Sequence, residues 1–287
     1  MTFLQIAALA AVQGAAELLP VSSSAHVIVA EKLMGLDPTT PEMTLLLVML
    51  HTGTMFAVIF YYRKSWKERF FSSGKVFREA AGLIFTATLM TGIIGLALKT
   101  ALEKFFMKGT VNAEVELLFG NMYLISAALA AAGLLILFAG LRRRTPIREG
   151  RGPDLRDAGL IGAIQGICLP FRGFSRSGAT ISMGLLLGVS KRNAEEFSFA
   201  LAVVLTPPVI AREAARLMRE RQLSLFTGHS LAGPFLPGLA GMALSFAAGL
   251  AALMWLSNWL EKGRWHLFGI YCLCASAVVF FMQQSGA

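Results

Sequence analysis

The chain has 287 residues, of which 55% are hydrophobic and only 15% are charged, and its formal net charge is +9. Long apolar runs separated by clusters of charge exclude a soluble domain and predict an integral membrane protein. The basic excess does not indicate a nucleic-acid partner, because the arginines lie between the apolar runs, where membrane loops are expected. The three cysteines lie in apolar segments without metal-ligand spacing, so we expect small core residues at Cys168, Cys272 and Cys274.

The first 36 residues predict a helical hairpin that enters the membrane and returns. Residues 3–13 and 25–36 are apolar, but each is shorter than the roughly 20 residues that a spanning helix needs. Pro20 interrupts the helix before it, so residues 20–24 are expected at the tip of the hairpin.

Beyond the first hairpin, six segments are predicted to cross the membrane, and a second pair of short segments lies between the third and the fourth. Pro207 and Pro208 predict a kink in the fourth of these spans. The predicted spans are 43–62, 80–98, 117–141, 197–217, 233–260 and 265–284, and the short pair is 158–169 and 179–189. The chain is therefore expected to be an all-α membrane protein.

Two basic loops predict the orientation. Residues 63–78 and 142–156 are rich in Lys and Arg, and two predicted spans separate them, so they lie on the same side of the membrane. The positive-inside rule assigns that side to the cytoplasm. Four arginines between 212 and 221 oppose this assignment, but the two earlier loops have the larger excess and agree with each other. The two hairpins would then enter from opposite faces, the first from outside.

The two hairpins also resemble each other in sequence, which predicts an internal duplication. Residues 11–14 (Ala-Val-Gln-Gly) match residues 163–166 (Ala-Ile-Gln-Gly), and a Leu-Pro pair follows in both copies. We interpret the chain as one membrane domain built from an inverted repeat, 1–156 and 157–287, each half with one re-entrant hairpin and three spans. A site is then expected where the repeats meet. Both transporters and membrane enzymes use this plan.

The first hairpin concentrates reactive side chains. Glu17 and His26 are the only ionisable side chains among residues 1–30, and Ser22, Ser23 and Ser24 lie between them. Facing lipid they would be costly, so a polar cavity is expected. His26 is interpreted as a general base or a nucleophile, and some of the serines as ordinary helix-start residues. The other histidines, at 51, 229 and 266, are interpreted as structural or interfacial.

The second hairpin has arginines where the first has Glu and His. Arg176 lies between Ser175 and Ser177, just before Gly178. A guanidinium stays charged when desolvated and binds phosphate or carboxylate oxygens in pairs. Arg172 is either a second anion contact or a surface charge. Together the hairpins offer the acid, base, nucleophile and anion clamp of phosphate-ester or anhydride chemistry, on a substrate whose lipid tail comes from the bilayer.

These motifs resemble the bacterial undecaprenyl-diphosphate phosphatase family, often called BacA or UppP. The residues that carry the resemblance are Glu17, Pro20 to His26, Gly173 to Thr180 and Glu196 to Phe199. The resemblance implies an inner-membrane enzyme that hydrolyses undecaprenyl diphosphate to undecaprenyl phosphate and inorganic phosphate. This reaction recycles the lipid carrier of peptidoglycan synthesis and confers bacitracin resistance. The resemblance also implies a divalent cation, Mg²⁺ or Ca²⁺.

The chain departs from the family pattern at two places. Gln13 replaces the first of two glutamates that the family commonly has, so a carboxylate role falls on Glu17 alone. Residues 170–173 (Pro-Phe-Arg-Gly) are longer than the usual Pro-Gly, so the resemblance assigns no role to Arg172. The alternative function is an inverted-repeat transporter or flippase for an anionic or lipid-linked substrate.

We predict a site made from both hairpins, opening to the periplasm, with a polyprenyl diphosphate and membrane lipid as partners and a homodimer as a possible assembly. Ser23 is predicted to attack the terminal phosphorus, with His26 and an activated water as alternatives. The predicted catalytic residues are Glu17, Ser23, His26 and Arg176, and Glu17 is also the candidate cation ligand. The predicted substrate-binding residues are Gln13, Ser22, Ser24, Ser175, Ser177, Gly178 and Thr180.

Overall fold

The described part of the chain is helical and contains no β-strand. A computed structural model describes residues 1–37, 40–106, 121–142, 150–224 and 232–285. The helices are α1 (Phe3–Leu18), α2 (Ser23–Leu33), α3 (Pro41–Phe70), α4 (Gly74–Phe106), α5 (Met122–Leu141), α6 (Leu155–Cys168), α7 (Arg176–Leu186), α8 (Lys191–Ser224), α9 (Ala232–Glu261) and α10 (Trp265–Gln284). This confirms the predicted all-α fold.

Five helices are long and apolar enough to cross a membrane: α3, α4, α5, α9 and α10. They contain five of the six predicted spans, although α5 begins at Met122 and residues 117–120 lie outside the described ranges. The predicted span 197–217 lies within α8, which continues as one helix through Pro207 and Pro208 and is not among the five. The chain is therefore a multi-pass membrane protein.

The first helix of the first hairpin is longer than predicted. The prediction ended the first segment at residue 13, but α1 continues to Leu18, because residues 14–18 contain no helix breaker other than one glycine. It ends just before Pro20, where the backbone becomes extended. Ser23 and Ser24 belong to α2 rather than to the tip. Ser22, at the tip, has a φ of 69°, a strained conformation for a residue with a side chain.

The second hairpin has the same plan, with caps that fix where each helix begins. Asp154 and Asp157 form a capping box at the start of α6. Ser175 caps α7, its Oγ accepting from the Gly178 N–H at 3.2 Å. Between the two helices, Gly173 has a φ of 103°, and a Cβ there would lie 2.5 Å from the Ile125 carbonyl oxygen. Only glycine fits this loop where it crosses α5.

Glycines allow α1 and α6 to pack closely on long helices. A Cβ on Gly14 of α1 would lie 2.7 Å from the Ser245 carbonyl oxygen of α9. A Cβ on Gly166 of α6 would lie 2.8 Å from the Thr91 carbonyl oxygen of α4. These are the two glycines that the sequence comparison aligned. The two hairpins therefore use matched glycines to pack on α9 and α4, as an inverted repeat requires.

Helices α5 and α10 form a second matched pair. Ser126 donates to the Ser276 carbonyl oxygen at 2.9 Å, and Ser276 donates to the Ser126 carbonyl oxygen at 2.8 Å. Gly133 and Gly269 likewise approach each other's backbone. Such reciprocal contacts are those of two antiparallel, equivalent helices. They support the inverted repeat, whose boundaries at 156 and 157 stay a prediction.

The tip of the first hairpin packs on the largest hydrophobic cluster among the described residues. Leu18, Leu19 and Val21 pack there with buried residues from several long helices, including Trp265, which is 2% exposed. Cys272 also belongs to this cluster, and Cys168 is buried. The core prediction is wrong for Cys274, which is exposed, because it lies on the outer face of α10.

Candidate active site

The two hairpin tips touch, and a cavity of about 180 Å³ lies between them. The Ser177 hydroxyl donates to the Leu19 carbonyl oxygen at 3.2 Å, and the Gly173 N–H donates to Ser24 Oγ at 3.4 Å. The cavity is lined by Ala16, Glu17, Ser22, Ser23, Ser24, Cys168, Leu169, Phe171, Arg172, Phe174, Ser175, Arg176 and Ser177. The predicted meeting of the two motifs is thus what the structure shows.

The Glu17 carboxylate is the centre of the site. Ser23 Oγ donates to Glu17 Oε2 at 2.5 Å, and Arg176 Nη2 donates to Glu17 Oε1 at 2.8 Å. Gln13, one turn earlier on α1, donates to Oε2 at 3.2 Å. Ser23 is the first residue of α2 and Arg176 the first of α7, so the carboxylate receives groups from the starts of two helices. The carboxylate thus joins a hydroxyl and a guanidinium through hydrogen bonds to its two oxygens.

The three serines have different surroundings. Among the described contacts, Ser23 is the serine whose hydroxyl donates to the Glu17 carboxylate. Ser22 Oγ and Ser24 Oγ lie 3.3 Å apart, and Ser24 also accepts from the second hairpin. Ser22 precedes α2 without a side-chain capping bond. Of the three, Ser23 has the surroundings that a nucleophile needs.

His26 has both ring nitrogens engaged away from the carboxylate. Nδ1 lies 2.7 Å from the Ser22 carbonyl oxygen, and Nε2 lies 2.7 Å from the Tyr271 hydroxyl. A carbonyl oxygen only accepts, so Nδ1 carries the hydrogen, and Nε2 of a neutral ring accepts from Tyr271. These bonds fix the turn that begins at the strained Ser22. They favour a positioning role for His26, and its predicted roles as base or nucleophile remain untested.

His51 was misjudged from the sequence. Its Nε2 lies 3.8 Å from Glu17 Oε2, and its Nδ1 lies 2.8 Å from the Leu47 carbonyl oxygen. From the sequence, His51 is interpreted as structural or interfacial and is not placed near Glu17, whereas α3 brings its ring beside the carboxylate. The available signal was an imidazole within a predicted span that has no Asp, Glu, Lys or Arg, because such a polar group is costly in a membrane. His229 lies outside the described residues.

The small polar residues around Arg176 are mostly engaged in fixing its helix. Ser175 and Ser177 line the cavity, but Ser175 caps α7 and Ser177 holds the first tip. Thr180 donates to the Arg176 carbonyl oxygen at 2.9 Å and shares a 2.6 Å hydrogen bond with Ser198. Their predicted role as direct phosphate ligands is untested. Their contacts fix the first turn of α7, which carries Arg176.

The residues around Glu17 do not fit a cation held by the protein. Both carboxylate oxygens already receive donors, and the nearby groups are an arginine, a histidine and an amide. Among the described residues no group of three or more His, Cys, Asp or Glu lies together as a metal cage. A divalent cation prefers several carboxylate or carbonyl oxygens. The candidate role of Glu17 as a metal ligand is therefore not supported by its surroundings.

Comparison with known proteins identifies the family. The family model described as "Bacitracin resistance protein BacA" matches residues 6–278. "Undecaprenyl-diphosphatase 2" of Acinetobacter baylyi is 55% identical over 282 residues, 97% of each chain. "Undecaprenyl-diphosphatase" of Parabacteroides distasonis is 30% identical over 284 residues, again 97% of each chain, and that of Bacteroides fragilis is 30% identical over 99% of each. The chain belongs to the BacA bacitracin resistance protein family.

Proposed function

We propose that this protein is an undecaprenyl-diphosphate phosphatase, which hydrolyses the diphosphate to undecaprenyl phosphate and inorganic phosphate. The observation that carries the proposal is that Ser23 of the first hairpin and Arg176 of the second both donate hydrogen bonds to the Glu17 carboxylate. Relatives that bear the name undecaprenyl-diphosphatase over nearly the full chain support it. They favour the phosphatase over the transporter, and recycling of the carrier lipid would confer bacitracin resistance.

In the proposed reaction Ser23 is the nucleophile. Its Oγ forms a bond to the terminal phosphorus, and the bond from that phosphorus to the bridging oxygen breaks, so undecaprenyl phosphate leaves. Glu17 takes the serine proton, for which the 2.5 Å hydrogen bond is already in place. Glu17 releases this proton to solvent as undecaprenyl phosphate departs. Water then attacks the phosphoserine, and Glu17 accepts one water proton and returns it to Ser23 Oγ as the bond between that oxygen and phosphorus breaks and inorganic phosphate leaves. Direct attack by a water activated by Glu17 is the alternative.

Arg176 supplies the charge that phosphoryl transfer needs. Its guanidinium bonds Glu17 through Nη2, and its side chain is 24% exposed toward the cavity. A planar fork can hold the carboxylate and a phosphoryl oxygen at once, which brings base and electrophile together. Charge that builds up on the phosphoryl oxygens in the transition state would be stabilised there.

A divalent cation remains a proposal from the family resemblance. Because the donors around Glu17 do not fit a protein-held ion, we propose that Mg²⁺ or Ca²⁺ would be bound mainly by the oxygens of the diphosphate, and no step above uses it. The proposal predicts that the cation concentration needed for half-maximal activity changes with the concentration of the diphosphate substrate.

The cavity is proposed to open to the periplasm of a bacterial inner membrane. Ile6 packs near the start of α3 and Gly241, whereas Leu18 reaches Gly249, so α1 runs in the same direction as α3 and α9. The basic residues Lys67 and Arg69 lie at the opposite end of α3, which the positive-inside rule places in the cytoplasm. A Ser24→Cys variant in a chain without its three native cysteines should react with an impermeant thiol reagent from outside. Labelling only from the cytoplasm would overturn this orientation.

The experiment that tests the function is phosphate release by purified protein in detergent. With a C55 or C15 prenyl diphosphate and Mg²⁺, we expect stoichiometric inorganic phosphate and prenyl monophosphate. Arg176→Ala protein, purified in the same way, is the control for contaminating phosphatases. Absence of release from the native protein, or equal release from the variant, would contradict the proposed function. Whether the protein forms a homodimer is a separate proposal, testable by its mass in detergent.

A further inference from the structure

Arg172 lies on the cavity although the reaction proposed above does not use it. Gly173, the residue after Arg172 in the loop between α6 and α7, packs against two helices. Its N–H donates to Ser24 Oγ of α2, and its Cα lies close to the backbone of Ile125 in α5. The anchored loop leaves the exposed Arg172 lining the cavity beside the three serines. The cavity therefore has two arginines on its wall, Arg172 and Arg176.

A buried carboxylate stands behind Arg172. Glu31, in the last turns of α2, is only 3% exposed, and its Oε1 has no hydrogen-bond partner among the described residues. Glu31 interacts electrostatically with Arg172. A buried carboxylate is costly unless an opposite charge compensates it, and the charge of Arg172 on the cavity wall acts on Glu31 in this way.

The substrate explains why a second arginine is useful. A diphosphate carries two charged phosphates, and Arg176 is tied to Glu17 opposite Ser23, where the reacting phosphorus must lie. The other phosphate, which stays on the prenyl chain, needs its own cation. Arg172 is the remaining cationic side chain that lines this cavity in the described residues.

We propose that Arg172 binds the phosphate attached to the prenyl chain, and that Glu31 is the residue that positions it. This inference rests on the proposed function and specifies which phosphate each arginine binds. The chain-linked phosphate is also the leaving group, and its bridging oxygen gains negative charge as the anhydride bond breaks, so Arg172 should bind this phosphate in the ground state and more tightly in the transition state. Loss of Arg172 should therefore raise KM and also lower kcat. Arg176 should affect kcat.

The products separate the two subsites. Farnesyl phosphate keeps the chain-linked phosphate and should bind through Arg172, whereas inorganic phosphate comes from the Arg176 subsite. In Arg172→Gln we expect the KM for farnesyl diphosphate to rise about 10-fold, as for the loss of one charge-assisted contact, and kcat to fall by less than it does in Arg176→Ala. Inhibition by farnesyl phosphate should weaken by a similar factor, and inhibition by inorganic phosphate should not change.

Glu31→Gln should give the same pattern with a smaller rise in KM, because the arginine remains but is held less well. In the Arg172→Gln background, Glu31→Gln should add nothing further. In the otherwise native chain, Glu31→Asp should have a KM closer to the native value than Glu31→Gln, because it keeps the carboxylate. Lys32→Gln is the matched control, since Lys32 is an exposed cation next to Glu31 in sequence. Lys32→Gln should leave KM within about 2-fold of the native value if KM depends on the interaction of Glu31 with Arg172 rather than on the net charge of this end of α2.

Steady-state kinetics on variants that elute as single species in detergent provide the test. An unchanged KM in Arg172→Gln, or equal weakening of both product inhibitions, would overturn the inference while leaving the phosphatase intact. Calorimetric binding of farnesyl phosphate to native and Arg172→Gln protein makes the same comparison without turnover. Failure of the native protein to release phosphate would contradict the function, whereas equal binding by the two proteins would contradict the role of Arg172.

Discussion

The two hairpins have one architecture and different chemistry. Each is a pair of short helices that meets a long helix through a matched glycine, Gly14 on α9 and Gly166 on α4. The first presents Glu17 and Ser23, and the second presents Arg176. The proposed base and nucleophile therefore lie on one hairpin and the proposed anion clamp on the other, and the cavity lies where the two tips touch.

The largest effect is expected at the second hairpin. Arg176→Ala removes the group proposed to stabilise the transferred phosphoryl, and it leaves Glu17 without its 2.8 Å partner. We expect kcat to fall by about 10³-fold or more, since losing one preorganised donor typically costs 10²–10³. Arg176→Lys should restore little, because an ammonium does not reproduce the planar fork. Near-native turnover of either variant would remove the clamp from the mechanism.

At the first hairpin, Ser23→Ala distinguishes attack by serine from attack by water. If Ser23 is the nucleophile, Ser23→Ala should lose at least about 10²-fold in kcat. Ser24→Ala, which removes a neighbouring hydroxyl without a bond to Glu17, should lose less than about 10-fold. Rapid quenching of the native enzyme should trap a phosphoserine. Substantial turnover by Ser23→Ala would instead favour a water activated by Glu17.

The two histidines near the first hairpin make a sharper contrast. His51 lies beside the Glu17 carboxylate, whereas His26 bonds Ser22 and Tyr271. We expect His51→Gln to lower kcat about 10-fold, less than the loss of a general base itself. Tyr271→Phe leaves His26 in place and removes only its partner, so it should cost still less. A kcat more sensitive to His26→Gln than to His51→Gln would restore His26 to the catalytic role that the sequence suggested.

The smallest effects on rate, but clear effects on stability, are expected at the matched glycines. Gly14→Ala and Gly166→Ala each place a Cβ under 3 Å from a backbone oxygen, so both should destabilise the fold by about 1–3 kcal/mol. Gly92→Ala on α4, where a Cβ meets nothing within 4 Å, is the control and should not destabilise. Thermal unfolding in detergent measures all three. A large loss at one matched glycine alone would break the equivalence of the repeats.

Much of this protein follows from its sequence alone. The apolar lengths predicted the all-α membrane fold, since a bilayer fixes how many residues a helix needs to cross it. The matched Gln-Gly and Leu-Pro pairs predicted two related hairpins. Charged or ionisable residues in apolar segments predicted Glu17, His26 and Arg176 as site residues, because such groups are too costly to face lipid, and Ser23 was predicted as a hydroxyl between the first two.

The tertiary structure decided which of these residues meet. His51 is 34 positions from Glu17 in sequence, and only the packing of α3 against α1 brings their side chains together. His26 is much nearer in sequence, yet the turn at Ser22 directs its ring to Tyr271 on α10. Sequence patterns report the periodicity and polarity of one helix at a time. Contacts between helices depend on how their surfaces fit, and that decided which serine, which histidine and which arginine surround the carboxylate.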